Sequence, residues 1–211
     1  MRTLIAAALL VCLAAPALPA QDAPIRPGGI VSGARVADRT DHYDVYESSR
    51  TDGAPDAKYV METRLAEADG RPVVIRRERM RIDGTEVEVS AFTLDHRTLA
   101  PLGGKDGAFL AGSMDLLLGA LPLADGYTAA LAVRDEEDGA PLVADVRVAG
   151  REEVRTDRGP VRAWRISVAG SGSEGTYWLR EDTRTLVQFV AADRGMRMVL
   201  HQRAADERDA R

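Results

Sequence analysis

Two interleaved sets of positions, recurring with a period of two, run through most of this chain. Tyr59, Met61, Thr63 and Leu65 alternate with Val60, Glu62, Arg64 and Ala66. Leu142, Ala144, Val146 and Val148 alternate with Val143, Asp145 and Arg147; Trp164, Ile166 and Val168 with Arg165 and Ser167; Met196, Met198 and Leu200 with Arg197 and Val199. Such alternation sends one set of side chains to a core face and the other to solvent, which is the signature of strands in a sheet. The punctuation agrees. The chain has no asparagine, so Asp-Gly serves where a turn needs positive φ, at Asp52-Gly53, Asp69-Gly70, Asp83-Gly84, Asp106-Gly107, Asp125-Gly126 and Asp138-Gly139. Between alternating runs these dipeptides predict two-residue hairpin turns. Asp157-Arg158-Gly159 and Asp193-Arg194-Gly195 predict three-residue loops with a glycine bulge.

The pairings implied by the turns are chemically sensible. A turn at Asp83-Gly84 sets Arg81 opposite Glu86, Met80 opposite Val87 and Arg79 opposite Glu88. Those are two opposite-charge pairs around one apolar pair. The Asp193 loop sets Val190 opposite Met198 and Phe189 opposite Val199. The basic run Arg76-Arg77-Glu78-Arg79-Met80-Arg81 then reads as a salt-bridged strand face rather than a patch for an anionic partner. For Val73 to Ile82 both faces carry apolar residues, so the inward face stays open.

One segment departs from period two. Ser113 to Leu121 reads as a short apolar helix of about two turns, with Ser113 as its cap, Asp115 in its first turn and Pro122 as its stop. The expected fold is all-β and mainly antiparallel: a strongly curved sheet or half-open β-barrel of about ten to eleven strands with one short apolar helix. Residues 1–20 form a leader, 21–38 a flexible arm rich in proline and glycine, 39–203 the barrel-like domain and 204–211 a charged tail.

The leader sets the compartment. Arg2 precedes an apolar run from Leu4 to Ala15, followed by Pro16 and small residues, the layout of a secretory signal peptide cleaved after Ala20 or Ala17. The run is about twelve residues, short of the roughly 20 a spanning helix requires. Export, into the periplasm, is expected. Cys12 is the one cysteine and leaves with the leader, so no disulfide framework, cysteine zinc site or CxxC pair is available to the processed chain. A formal net charge of −5 argues against nucleic acid as a partner. An aromatic content of 5% is too low for the girdles of a membrane-spanning barrel.

Catalytic signals are sparse. Gly170 to Gly175 matches GxGxxG, but the residues after it, Thr176 to Leu179, are strand-like where a dinucleotide site needs a helix. The sequence therefore predicts a flexible hairpin loop there. His42, His96 and His201 lack metal-like spacing, although His42 and His201 fall on terminal strands that a closed sheet would make neighbours. There is no GxSxG elbow. Asp135 to Gly139 is an acidic turn without the alternating ligands of a calcium loop. No catalytic residue, metal or cofactor is expected.

Three stretches carry a family resemblance. They are Phe92 to Leu102, Leu116 to Tyr127, and a third set comprising Val148, Gly150, Glu152, Val154, Gly159, Ala163 to Arg165, Tyr177 to Leu179, Leu186 and Val187. Together they resemble a family of bacterial exported proteins of unknown function, similar in turn to the lipoprotein-localisation factors. The resemblance spans roughly residues 40–203 and implies a half-open barrel whose mouth is closed by helices, here by a single helix. It implies no catalytic residues. It does imply a use for the concave face, which can hold a lipid or other apolar ligand. Met61, Leu65, Trp164, Ile166, Tyr177, Met196 and Met198 are the expected liners, with Leu116, Leu117 and Leu121 as a lid. The alternative is a dry core in a module that binds another envelope protein; a third reading is a hydrolase-type enzyme with an unrecognised site.

Overall fold

The computed structural model describes residues 23–29, 33–47, 53–103, 107–135, 140–192 and 195–201. The leader, the tail beyond 201, and the expected turns at Asp52-Gly53, Asp106-Gly107 and Asp138-Gly139 lie wholly or partly outside the described residues.

The chain builds its sheet one hairpin at a time. β2 (Ala57–Ala68) turns into β3 (Arg71–Ile82) through Asp69-Gly70, and β3 into β4 (Thr85–Asp95) through Asp83-Gly84. Both aspartates sit at φ 50°, and Gly70 and Gly84 at 71° and 82°, so each turn has the two positive φ values that match the twist of the flanking strands. The Asp83-Gly84 pairing is the expected one, with Arg81 opposite Glu86, Met80 opposite Val87 and Arg79 opposite Glu88; a bulge follows between Arg79 and Glu78.

β1 (Arg39–Glu47), β5 (Phe109–Leu110), β6 (Thr128–Arg134), β7 (Pro141–Thr156), β8 (Gly159–Ala169), β9 (Gly175–Arg180), β10 (Leu186–Ala191) and β11 (Met196–Leu200) complete one eleven-stranded sheet. Its order is β4-β3-β2-β1-β11-β10-β9-β8-β7-β6-β5. Neighbours pair antiparallel except β5 with β6, which run parallel. The first and last strands of the chain thus meet in the middle of the sheet, and β4 and β5 stand at its two edges.

Cross-strand pairing aligns the inner face. Val45, Met198, Phe189, Tyr177, Ile166 and Val148 are successive partners across six strands. This row requires Phe189 opposite Met198 and Val190 opposite Arg197. The register expected from the Asp193 loop is therefore off by one residue. A one-residue slip would exchange inner for outer side chains along β11 and break the row.

The helix α1 (Met114–Ala120) follows a 3₁₀ turn at Ala111–Ser113. Ser113 is not a side-chain cap: its hydroxyl donates to the Leu110 carbonyl at 2.8 Å, because the 3₁₀ turn brings that oxygen within reach. Leu116, Leu117 and Leu118 are all buried, each contributing about 1.5–3 kcal/mol relative to exposure. The expected lid is thus a plug set into the core. Asp125-Gly126 is a turn leading from this region into β6, with the Tyr127 N–H donating to Ala124 O at 3.0 Å, and not a hairpin between strands.

The described parts of the segment before β1, residues 23–29 and 33–38, are docked at two points rather than free. Ile25 bridges to Leu131 on β6, exchanging hydrogen bonds of 2.7 and 2.9 Å with Ala130 and Ala132, and is buried. Val36 is buried as well. Proline and glycine break periodicity here without preventing two apolar side chains from anchoring the backbone.

Candidate functional site

The inner face of β1, β2 and β3 answers the question the sequence leaves open. On β3 the inward set is Val74, Arg76, Glu78 and Met80, opposite Leu65, Thr63, Met61 and Tyr59 of β2. Arg76 is therefore fully buried and not part of the salt-bridged outer face. That face is real further along, where Arg79 pairs with Glu86 at 3.2 Å.

Arg76 organises a buried ionic cluster. Its Nε donates to Glu78 Oε1 at 2.9 Å, its Nη1 to Thr63 Oγ1 at 2.7 Å and its Nη2 to Asp115 Oδ2 at 3.0 Å, with the Met61 sulfur alongside. Tyr59 donates its hydroxyl to Glu78 Oε2 at 2.6 Å. Arg39 lies 2.7 Å from Asp41 and 3.8 Å from Asp115. Asp115 belongs to α1, so this guanidinium ties the helix to the sheet. Burial works against charge on Arg76, but Asp115 and Glu78 outweigh it and hold the guanidinium ionised. Burial likewise raises Glu78 and Asp41 above the ordinary carboxylate range, against the opposing pull of nearby arginines.

Beside the cluster the concave face opens into a half-open cavity of about 430 Å³. The volume falls within the range of small-molecule sites. Met61 and Met80 line it from β2 and β3, Met114 from α1, and Met196 and Met198 from β11. The chain has six methionines, so every one except Met1 faces this cavity. Tyr177 and Phe189 complete an aromatic wall with ring centroids 4.5 Å apart.

Of the residues expected to line a ligand site, Met61, Tyr177, Met196 and Met198 line this cavity. Ile166, Leu116, Leu117 and Leu121 are packed into the core instead. Trp164 is buried between the guanidinium groups of Arg151 and Arg184, 4.8 and 5.3 Å from its ring centroid. Leu65 follows the inward period but lies at the exposed end of β2, 42% accessible. Sequence reasoning missed Met80, Met114 and Phe189 as liners, and Arg76, Glu78 and Asp115 as a cluster.

The other candidates resolve simply. Gly170 to Gly175 connects β8 to β9, so a strand follows it as expected. The loop is tied down rather than slack: Ser173 Oγ donates to Ala111 O at 3.1 Å, and Tyr177 Oη to Ser173 O at 2.7 Å. The His201 N–H donates to the His42 carbonyl at 2.7 Å, so those residues are neighbours. His201 Nδ1 lies 3.3 Å from Asp44 and 3.6 Å from Asp157. His96 sits apart in the turn after β4, its N–H donating to Pro72 O. Among the described residues, no group of three or more His, Cys, Asp or Glu side chains is placed to hold a metal ion. No helix among them is long and apolar enough to cross a membrane.

Comparison with known proteins adds a family. Residues 30–200 match the model of a protein family of unknown function, DUF3108. No curated protein matches. A solved structure from Bacteroides fragilis, a protein assigned as exported with a YmcC-like fold, is similar over 77% of this chain and 93% of its own, at 13% identity and a TM-score of 0.42.

Proposed function

The chain belongs to the DUF3108 family of proteins of unknown function, and on that premise we propose that it is an exported, non-enzymatic protein that holds a lipid or other apolar ligand in the concave face of its sheet. One observation carries the reading: five methionines from four separate elements converge on a single half-open cavity of about 430 Å³. Methionine is unbranched, flexible and polarizable, and suits a surface that must adapt to an apolar guest. Packed cores are normally filled without such voids, so a cavity of this size is a costly feature for a core alone. The leader-like residues 1–20 support export.

Native mass spectrometry of the protein purified gently from its own envelope tests the reading. A bound apolar molecule, together with uptake of a neutral solvatochromic dye by the emptied protein, is expected. The absence of both a bound molecule and dye uptake would overturn it. A second reading, docking of another envelope protein, is favoured by the edge strand β4, where Val87 and Val89 are exposed. It predicts crosslinks to a partner from β4 with the cavity empty.

A further inference from the structure

The methionine-lined cavity combines an adaptable lining with a fixed size. Its walls are tied where they would otherwise give way. α1 is held to β3 by Arg76 Nη2, which donates to Asp115 Oδ2 at 3.0 Å, and is anchored by the buried Leu116, Leu117 and Leu118. The loop between β8 and β9 is held to the 3₁₀ turn before α1, with Ser173 Oγ donating to Ala111 O at 3.1 Å and Tyr177 Oη to Ser173 O at 2.7 Å. β9 and β10 approach so closely at Gly175 that an added Cβ would stand 2.3 Å from Val190 O. What remains free to adjust is side chains, chiefly the partly buried Met80, Met196 and Phe189. Methionines reshape such a space more readily than they enlarge it.

The volume then limits the guest. A non-hydrogen atom with its hydrogens takes roughly 30 Å³ in a liquid, the share of one water molecule. A cavity of about 430 Å³ therefore holds about 14 such atoms, the length of one ordinary alkyl or acyl chain. A lipid with two chains of that length requires about twice the space. Making that room by lifting α1 would expose its three buried leucines and part Asp115 from Arg76 in the same step.

We infer that the ligand is a single-chain amphiphile, with a chain of about 14 carbons among the methionines and its polar end at the open side, and that double-chain lipids are excluded. This rests on the ligand-binding reading above and sets the size class of the guest.

Two measurements on the processed protein test it. In the first, alkyl maltosides of increasing chain length, each below its micelle-forming concentration, displace a bound neutral solvatochromic dye. Affinity is expected to rise about fourfold per methylene and to level off near about 14 carbons. In M196W, which fills part of the cavity, the plateau is expected one or two carbons earlier. In the second, the emptied protein is incubated with vesicles of equal parts myristoyl lysophosphatidylcholine and dimyristoyl phosphatidylcholine, re-isolated and weighed by native mass spectrometry. The lysolipid is expected to stay bound and the double-chain lipid to be absent. A retained double-chain lipid, or affinity that climbs with length without a plateau, overturns the single-chain assignment and leaves the cavity reading intact. A plateau that M196W does not move overturns the assignment of the limit to this cavity. Failure of the dye, every maltoside and both lipids to bind overturns the ligand-binding reading itself.

Discussion

Arg76 is the residue on which the inner face turns. Its guanidinium is fully buried and is held by two carboxylates from different elements. Removing it in R76M leaves Glu78 and Asp115 buried without their counter-charge, and urea denaturation should show a loss of about 3–5 kcal/mol. Neutralising the partners as well, in R76M/E78Q/D115N, should recover a large part of that loss, since the cost lies in the stranded charges. Glu78 also imposes a pH dependence. Burial raises its folded-state pKa above the ordinary 4.5, so the folded state binds the proton more tightly than the unfolded chain does. The resulting stability is fully present below pH 4.5 and is lost as pH rises through the folded-state value. Melting curves across that window should be flatter for E78Q than for the wild type; parallel curves would contradict this. The cluster was legible in principle. Carrying the pairing of the Asp69-Gly70 turn along the strands puts Arg76 opposite Thr63 and Glu78 opposite Met61, on the face that Tyr59 and Met61 mark as inward. Charge alone argues for the surface, and only register overrides it.

Among the elements, hairpins read out faithfully where a two-residue turn fixes them, and less well where a longer loop does. Asp69-Gly70 and Asp83-Gly84 determine their registers because two positive φ values leave no alternative. The β10–β11 connection includes Asp193 and Arg194, outside the described residues, and its pairing is set by the inner row rather than by a local turn signal. The helix was legible from its leucines and its proline stop. Its role as a plug was not, because insertion depends on the partner Asp115 finds across the sheet. Two glycines separate strain from collision. Gly84 sits at φ 82° with nothing within 4 Å of an added Cβ, so G84A should cost only the left-handed penalty, about 1–2 kcal/mol. At Gly175 an added Cβ would stand 2.3 Å from Val190 O and 2.7 Å from the Phe189 ring. G175A should therefore lose more than G84A in thermal denaturation, and should also weaken ligand uptake by moving the Phe189 wall. Equal losses would contradict the β9–β10 approach.

For the whole molecule, the sheet leaves its two ends, β4 and β5, as separate edges and fills the concavity only in part. α1 and the docked segment around Ile25 and Val36 close one region, and the methionine-lined cavity remains in another. Composition hints at neither, because methionines far apart in sequence become neighbours only once β1 and β11 pair at the middle of the sheet. The four sequence-expected liners that reach the cavity share the inward period of β2, β9 and β11. Of the expected liners that do not reach it, Leu65, Trp164 and Ile166 follow the same period but lie where core packing or strand length takes them away. Leu116, Leu117 and Leu121 belong to the helix and its C-terminal end and are packed into the core. Methyl resonances of methionine-labelled protein provide the most direct measurement. Titration with a neutral apolar ligand should shift the signals of Met61, Met80, Met114, Met196 and Met198 together, with one saturating midpoint. Signals that stay still while the ligand binds, or shift only at one or two of the five, would contradict a common binding cavity.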